Sequence, residues 1–126
     1  MNREIKFRGQ QINTKKWIHG YLYREKGLYL ICENIRYAEK EPILLDTVGQ
    51  FTGLHDKNGK EIYEGDIVKY RDSRGQHIEK VIFDKGCFYA GMHWGSSTRV
   101  APKLINTRIT EVIGNIYDNP ELLGGE

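Results

Sequence analysis

Basic and aromatic residues lie close together in the first part of the chain, in an arrangement that could bind single-stranded nucleic acid. Lys6 and Arg8 are predicted to project from one face of a first strand, and Trp17, Tyr21 and Tyr23 to share one face of a second strand. Small β-barrels bind single strands by stacking bases on exposed aromatic side chains within a basic groove. The candidate nucleic-acid-binding residues are Lys6, Arg8, Lys15, Lys16, Trp17, Tyr21, Tyr23 and Arg24.

A structural explanation of these same residues competes with nucleic-acid binding, and the sequence favours it. Aromatic side chains are usually buried in the core, and lysine and arginine commonly protect the edge strands of a sheet. The exposure of Trp17, Tyr21 and Tyr23 separates the two explanations. Exposed rings surrounded by cations would favour nucleic acid, whereas buried rings would favour the structural role.

Residues that could carry out catalysis are present but lack the arrangement that catalysis needs. The Gly-Ser-Ser segment at 95–97 has neither the second glycine nor the following helix of a nucleophile elbow. Glu61, Glu64 and Asp66 are close in the sequence and could form an acid–base pair. A carboxylate that accepts backbone hydrogen bonds at a strand start explains Asp66 better, and nothing supplies a nucleophile or a pocket. The sequence therefore predicts no catalytic residue and a protein that is not an enzyme.

Metal and cofactor motifs are absent from the sequence. The best local pair, His55 with Asp56, matches no zinc spacing and is better explained as a surface histidine beside a turn aspartate. Residues 56–59 resemble part of a calcium loop but lack its later glutamate and its flanking helices. No Gly-Lys-Ser/Thr segment forms a phosphate loop. We therefore expect no metal site, no cofactor and no small-molecule substrate. The scattered histidines are His19, His55, His77 and His93.

Length and composition indicate one folded domain of 126 residues with a thin core. The apolar fraction of 39% is low, which favours burial of further surface by self-association. The net charge is only +2, although residues 1–40 contain nine Lys/Arg against four Asp/Glu, a local excess of +5. A subdomain break, if the domain has one, would fall near residues 39–42, where charged residues precede Pro42.

Cellular location is predicted from the cysteines and from the opening residues. Cys32 and Cys87 are far apart and show no Cys-x-x-Cys spacing, so we expect two free thiols in a reducing cytoplasm. Charged residues interrupt the first apolar positions, which argues against a signal peptide. No apolar run approaches the length of a membrane span. We expect a cytoplasmic protein that does not bind a membrane.

Turn signals that recur about every eight to twelve residues predict a mainly β fold. We expect a small antiparallel β-barrel-like domain with SH3-like character, little helix, and room for a small N-terminal β subdomain. Leu28 to Cys32 is the most apolar of the strands, and it could pair with another chain if it lay at an edge, although a central place is favoured. The predicted strands are residues 4–8, 17–24, 28–32, 51–54, 60–63, 67–71, 77–83, 87–92 and 108–117, with a helical turn at 120–123.

The segment 50–70 contains the strongest turn signals. Asp56, Asn58 and Gly59 predict a tight reversal, because Asn-Gly favours positive φ at the centre of a hairpin turn. Gly65 and Asp66 predict a second turn just before a β-branched strand. These residues are therefore interpreted as structural turn positions, and none of them demands a chemical role.

The same segment resembles the core signature of the YopX family, small proteins carried by bacteriophages and prophages, largely of Gram-positive bacteria. The resemblance is carried by residues 47–54 (Thr-Val-Gly-Gln-Phe-Thr-Gly-Leu), 56–59 (Asp-Lys-Asn-Gly) and 62–68 (Ile-Tyr-Glu-Gly-Asp-Ile-Val). Residues 3–9, Trp17 with Gly20, and residues 112–123 resemble the family's opening, second and closing segments. Gly9-Gln10 stands where many members have Ala-Trp. The resemblance implies a mostly β fold and a phage context, and it carries over no catalytic residue.

Two functions follow from these observations. The first is a non-enzymatic phage or prophage accessory protein in the bacterial cytoplasm, acting through protein–protein contacts with itself, as a homo-oligomer, or with a host or phage protein. The alternative is a small β-barrel protein that binds nucleic acid.

Overall fold

The computed structural model describes residues 4–33, 40–84, 86–91 and 103–124. Within them the chain is mainly antiparallel β structure, which confirms the predicted class. The strands form two open sheets, so the barrel-like closure expected from the sequence is not realised. The described residues form eleven strands, which is more than the sequence predicted, because short strands such as Lys103–Leu104 carry too weak a sequence pattern to be recognised. The chain divides into unit 1, Met1–Gly53, and unit 2, Leu54–Glu126.

The strands of unit 1 are β1 (Phe7–Gln10), β2 (Trp17–Glu25), β3 (Leu28–Cys32), β4 (Lys40–Pro42) and β5 (Gly49–His55). They are neighbours in one sheet in the order β4-β3-β2-β1-β5. Its apolar cluster forms because Ile18 on β2 and Ile31 on β3 project from the same face and meet Ile43. Lys40–Pro42 pairs with β3 within this unit, at the place where the sequence suggested a domain break. A 3-10 helix at Leu45–Thr47 lies between β4 and β5 in the chain.

The apolar strand β3 is central, because it pairs with β2 on one side and with β4 on the other. Its last three residues are buried, whereas Leu28 at its start is 50% exposed. The central place that the sequence favoured is therefore confirmed, and the alternative, pairing with another chain along an open edge of this strand, does not apply because both edges are paired.

Gly20 lies where two backbones approach closely, as its position inside a strand predicted. Its φ is +155°, and a Cβ atom at this position would lie 2.3 Å from the carbonyl oxygen of Cys32. Tyr21 and Cys32 are directly paired in the β2–β3 register. Only glycine allows β3 to come this near.

The strands of unit 2 are β6 (Glu61–Tyr63), β7 (Asp66–Asp72), β8 (Gly75–Asp84), β9 (Cys87–Gly91), β10 (Lys103–Leu104) and β11 (Glu111–Asn115). Five of them form a second sheet in the order β10-β9-β8-β7-β11. Residues 54–55 at the end of β5 belong to this unit, where β6 is the neighbouring strand. Its core is the cluster Ile62, Val68, Tyr70, Val81, Ala90 and Val112. A 3-10 helix at Pro120–Leu123 follows β11.

The last strand is shorter than predicted, because the residues before it form a turn. The Asn106 carbonyl accepts hydrogen bonds from the Ile109 and Thr110 amides at 3.2 and 3.1 Å. The Asn106 side chain accepts a further bond from the Arg108 amide at 3.1 Å. These local bonds compete with the strand that the β-branched residues favour, so β11 begins only at Glu111.

Candidate functional site

The predicted basic and aromatic residues of unit 1 gather mostly on one face of its sheet. Ile18 packs in the core on one face of β2, so Trp17, Tyr21 and Tyr23 project from the opposite face. Arg8 is paired with His19 and therefore projects from the same face as these aromatics. The alternation assigned from the sequence is confirmed for this strand pair.

Cations of this chain already cover three of the aromatic rings on this face. The Arg8 guanidinium lies 4.7 Å from the centre of the Trp17 ring, and Arg8 is only 7% exposed. The Lys6 ammonium lies 5.2 Å from the Phe51 ring centre. Lys40 lies 5.0 Å from the Tyr23 ring and 2.5 Å from a Glu25 carboxylate oxygen. These cation–π contacts occupy the ring faces that stacked bases would need.

The predicted aromatic and basic residues of unit 1 differ in exposure, and some of the cations lie away from this face. Tyr21 is 43% exposed, and Trp17 and Tyr23 are half-buried. Arg24 pairs with Tyr29, and its guanidinium lies 5.5 Å from that ring, on the opposite face. Lys15 and Lys16 are exposed before β2, where Lys15 has a φ of 61°. Nucleic-acid binding by this surface stays a prediction.

The Asp56 carboxylate connects the turn between β5 and β6 to the start of β11. Its Oδ1 atom accepts hydrogen bonds from the Asn58 amide at 2.8 Å and the Lys60 amide at 2.9 Å. Its Oδ2 atom accepts the Val112 amide at 2.9 Å, across 56 positions of sequence. Gly59 closes the turn with a φ of +86°. Asp56 thus fixes a local turn and a distant strand with one side chain.

Asp66 performs a similar task at the start of β7. The Asp66 side chain is only 2% exposed, and its Oδ2 atom accepts the Tyr63 amide at 2.7 Å. Gly65 adopts a φ of +92° and donates its amide to the Val81 carbonyl at 2.9 Å. The aspartate of each turn therefore accepts hydrogen bonds from backbone amides, of which those of Tyr63 and Val112 are buried.

Burial raises the pKa of the Asp56 carboxyl, but the three backbone hydrogen bonds, from Val112, Lys60 and Asn58, outweigh burial and lower the pKa below its usual value of 3.8. A carboxyl with a lowered pKa in the fold stabilises the folded state above its unfolded-state pKa. That contribution is lost as the pH falls through the lowered folded-state value.

We therefore expect the free energy of unfolding to fall on acidification below about pH 4 in the native protein. Asp56→Asn should show a weaker decline over the same interval, because its amide does not titrate. Urea unfolding between neutral and acidic pH measures both curves, with Asp46→Asn, an exposed aspartate of unit 1, as the control. Parallel curves for the native and Asp56→Asn proteins would contradict the assignment.

A polar network in unit 2 was missed by the sequence analysis. The Tyr70 hydroxyl donates to a Glu79 carboxylate oxygen at 2.9 Å, and the Tyr70 ring stacks on His77 with centres 4.9 Å apart. His77 Nε2 lies 2.9 Å from Asp72 Oδ1. The network borders a cleft of about 250 Å³ that Tyr70, Asp72 and Thr110 help to line. The network is assembled by the register of β7 and β8, in which Val68 pairs with Glu79 and Tyr70 with His77. The only sequence signal for it was the alternation of the two strands, which does not give their register.

Burial, followed by the hydrogen bond and the charge of Glu79, strongly raises the pKa of the Tyr70 hydroxyl. The phenol therefore stays protonated across the physiological range and serves as a hydrogen-bond donor. A satisfied network of this kind orders the strands that carry it.

Two further features of the described residues also bear on function. In this part of the chain no three His, Cys, Asp or Glu side chains are grouped so that they could hold a metal ion. None of its helices has the length and apolarity that a membrane crossing requires. Cys32 is buried and Cys87 is exposed, both as free thiols.

Fold and site together define a small two-sheet antiparallel β protein whose polar residues chiefly hold turns and strands in place. The YopX protein family model matches residues 3–124, and the chain belongs to the YopX family. The crystal structure of protein EF1440 from Enterococcus faecalis has a similar fold, with a TM-score of 0.53 and 23% sequence identity. That similarity covers 97% of this chain and 99% of the other. Among curated proteins none matches the sequence.

Proposed function

We propose that the protein is a non-enzymatic accessory protein of a bacteriophage or prophage. In this proposal it acts in the cytoplasm of the bacterial host through protein–protein contacts, first of all with further copies of itself. The YopX signature supports the phage context. The polar residues described above support a role without catalysis, because each is explained by the turn or strand that it stabilises.

The observation that carries this proposal is a mainly apolar depression on unit 2, which we call the apolar depression. Its lining consists of Val81, Ile82, Phe83, Ile116 and Tyr117, with Glu64, Gly65 and Lys80 beside them. Phe83 is 49% exposed and Tyr117 is 36% exposed. The depression has a volume of about 310 Å³. Exposed apolar surface of this kind, with aromatic side chains, is typical of protein interfaces.

Self-association is favoured over a purely heterologous contact because the chain has little apolar material to bury within itself. Only 39% of its residues are hydrophobic, and several large apolar side chains remain exposed. Pairing of two copies would remove the Phe83 and Tyr117 surfaces from water without any further partner.

We expect light scattering at micromolar concentrations to give a mass above that of the monomer. Phe83→Ser combined with Tyr117→Ser should return the protein to the monomer, because the exposed rings supply the buried apolar area. Leu45→Ser is the matched control, since Leu45 is 53% exposed but belongs to unit 1. A monomeric native protein would contradict self-association, and an oligomer unaffected by the double substitution would place the interface elsewhere.

A further inference from the structure

Four cationic residues from three separate segments of unit 2 line one depression. Lys57 comes from the turn after β5, Lys69 and Arg71 from β7, and Arg108 from the turn before β11. The depression has a volume of about 300 Å³, which is the lower end of the size of small-molecule sites. We call these four residues and the space between them the basic depression.

Backbone hydrogen bonds hold the segments that carry these side chains. The Lys57 amide donates to the Thr110 carbonyl at 2.9 Å, which ties the first turn to the residues just before β11. Glu111 pairs with Lys69, which ties β11 to β7. The Arg108 amide is held by the Asn106 side chain at 3.1 Å. The backbone of the basic depression is therefore formed before any ligand arrives, which lowers the cost of binding.

The charges of the basic depression are mostly unneutralised. Lys69 lies 3.7 Å from a Glu111 carboxylate oxygen, and both side chains are partly exposed, so this ion pair is weak. Lys57, Arg71 and Arg108 form no ion pair in the part of the chain that the structure describes. Unit 2 as a whole has ten Lys/Arg against eleven Asp/Glu, a net charge of −1. The positive charge of the basic depression is therefore a local feature of a unit whose net charge is slightly negative.

Unit 1 offers the contrasting case. Its Lys6, Arg8 and Lys40 lie over aromatic rings of the same chain, and Lys40 also pairs with Glu25. Cations engaged in this way have less capacity to bind a further anion. Lys57, Arg71 and Arg108 of unit 2 show no such cation–π contact in the described part of the chain, and no basic run in the sequence marks them.

We propose that the basic depression binds a phosphate-bearing ligand of nucleotide size, either a free nucleotide or one nucleotide unit of a single strand. Two arginines supply planar guanidinium groups that match phosphate oxygens with paired hydrogen bonds. The two lysines add compact charges, and the Gln76 amide on the same wall can donate or accept a further bond. The site is independent of the apolar depression proposed to mediate self-association, because the two share no lining residue.

The test uses the full chain with two probes, adenosine triphosphate and a fluorescein-labelled oligothymidylate. Calorimetry measures binding of the first probe and fluorescence anisotropy measures the second, each at low and at physiological salt. We expect binding at low salt that weakens by about tenfold at physiological salt, because phosphate contacts release counterions. Arg71→Gln with Arg108→Gln should weaken binding by at least about tenfold. The slope of the logarithm of the binding constant against the logarithm of the salt concentration should become shallower by about one for each phosphate contact removed.

The matched control is Lys26→Gln with Arg74→Gln, which removes the same charge from exposed turn positions that do not line the basic depression. This control should bind like the native protein. Lys57→Gln with Arg108→Gln is a second variant of the basic depression, so the test does not depend on the folding of one mutant. Binding of the nucleotide alone identifies a free ligand, and binding of the oligonucleotide alone identifies a strand. Absence of binding to either probe, or equal losses in control and test variants, would overturn the proposal.

Discussion

Replacing Gly20 by alanine should destabilise the protein by about 3 kcal/mol, because the new methyl group would overlap backbone atoms of β3 and of the residue after it. The added Cβ would lie 2.3 Å from the Cys32 carbonyl oxygen and 2.9 Å from the Glu33 Cα atom. Neither is the end of a flexible side chain, so relief requires β2 and β3 to separate. Small domains have only about 5–15 kcal/mol of total stability, and the expected loss is a large part of it.

Urea unfolding measures this loss, and Gly27→Ala is its control. Gly27 lies in the turn between the same two strands with a φ of +79°, but a Cβ atom there would meet nothing within 4 Å. The control should cost only about 1–2 kcal/mol, which is the strain of a left-handed conformation in alanine. Equal losses for the two variants would show that the close approach of β3 does not determine the role of Gly20.

Gly20 illustrates what the sequence predicts well. A glycine inside an alternating strand indicates a close backbone approach, and the structure identifies the atom that comes near. The strand Leu28–Cys32 was also predicted with its observed bounds, because a compact apolar run between turn residues has few alternative structures. Local periodicity and turn chemistry thus account for most of the strands and for the antiparallel class.

The first strand shows where local pattern fails. Alternation predicted residues 4–8, whereas β1 runs from Phe7 to Gln10. Gly9 fits there because a side chain would collide with Ile43, since its Cβ would lie 2.9 Å from the Ile43 Cδ1 atom. The Gln10 amide is satisfied by the Thr47 hydroxyl at 2.9 Å. Both partners lie more than thirty positions away, so tertiary contacts fix this strand.

The candidate sites depend even more on distant contacts. Proximity of Arg8 and Trp17 was predictable, but the register of β1 and β2 decides that the guanidinium covers the ring. The basic depression combines residues from positions 57 to 108. Only two of its four cations, Lys69 and Arg71, lie near each other in the sequence, on the same strand β7. Sheet order and register therefore create the charge concentration, and neither can be read from composition or periodicity.

Replacing Asp56 by alanine should destabilise the protein by about 3 kcal/mol, although the residue lies in a turn. The substitution removes the acceptor of three backbone amides. The amides of Asn58 and Lys60 belong to exposed residues and can donate hydrogen bonds to water instead. The Val112 amide cannot, because its hydrogen bond to Asp56 is buried in the interior of unit 2. An unsatisfied buried donor costs about 1–3 kcal/mol, and the charge-assisted bonds to the turn add the remainder.

Asp56→Asn separates the charge from the shape of this side chain. Its single carbonyl oxygen can serve either the turn or the Val112 amide, so we expect an intermediate loss of about 1–2 kcal/mol. Asp46→Ala is the control, an exposed aspartate whose removal should change the free energy of unfolding by less than about 0.5 kcal/mol. Urea unfolding at neutral pH ranks the three variants.

Hydrogen exchange at the Val112 amide tests the mechanism itself. In the native protein this amide should exchange slowly, because it is bonded to a carboxylate that is only 6% exposed. In Asp56→Ala it should exchange faster than the β7–β8 amides, because the turn no longer covers the outer edge of β11. If Val112 stayed as protected as β7 and β8 while global stability fell, the loss would come from the turn alone. Asp56 would then be an ordinary turn residue, and the connection of the YopX signature segment to the last strand would rest on the Lys57–Thr110 backbone bond.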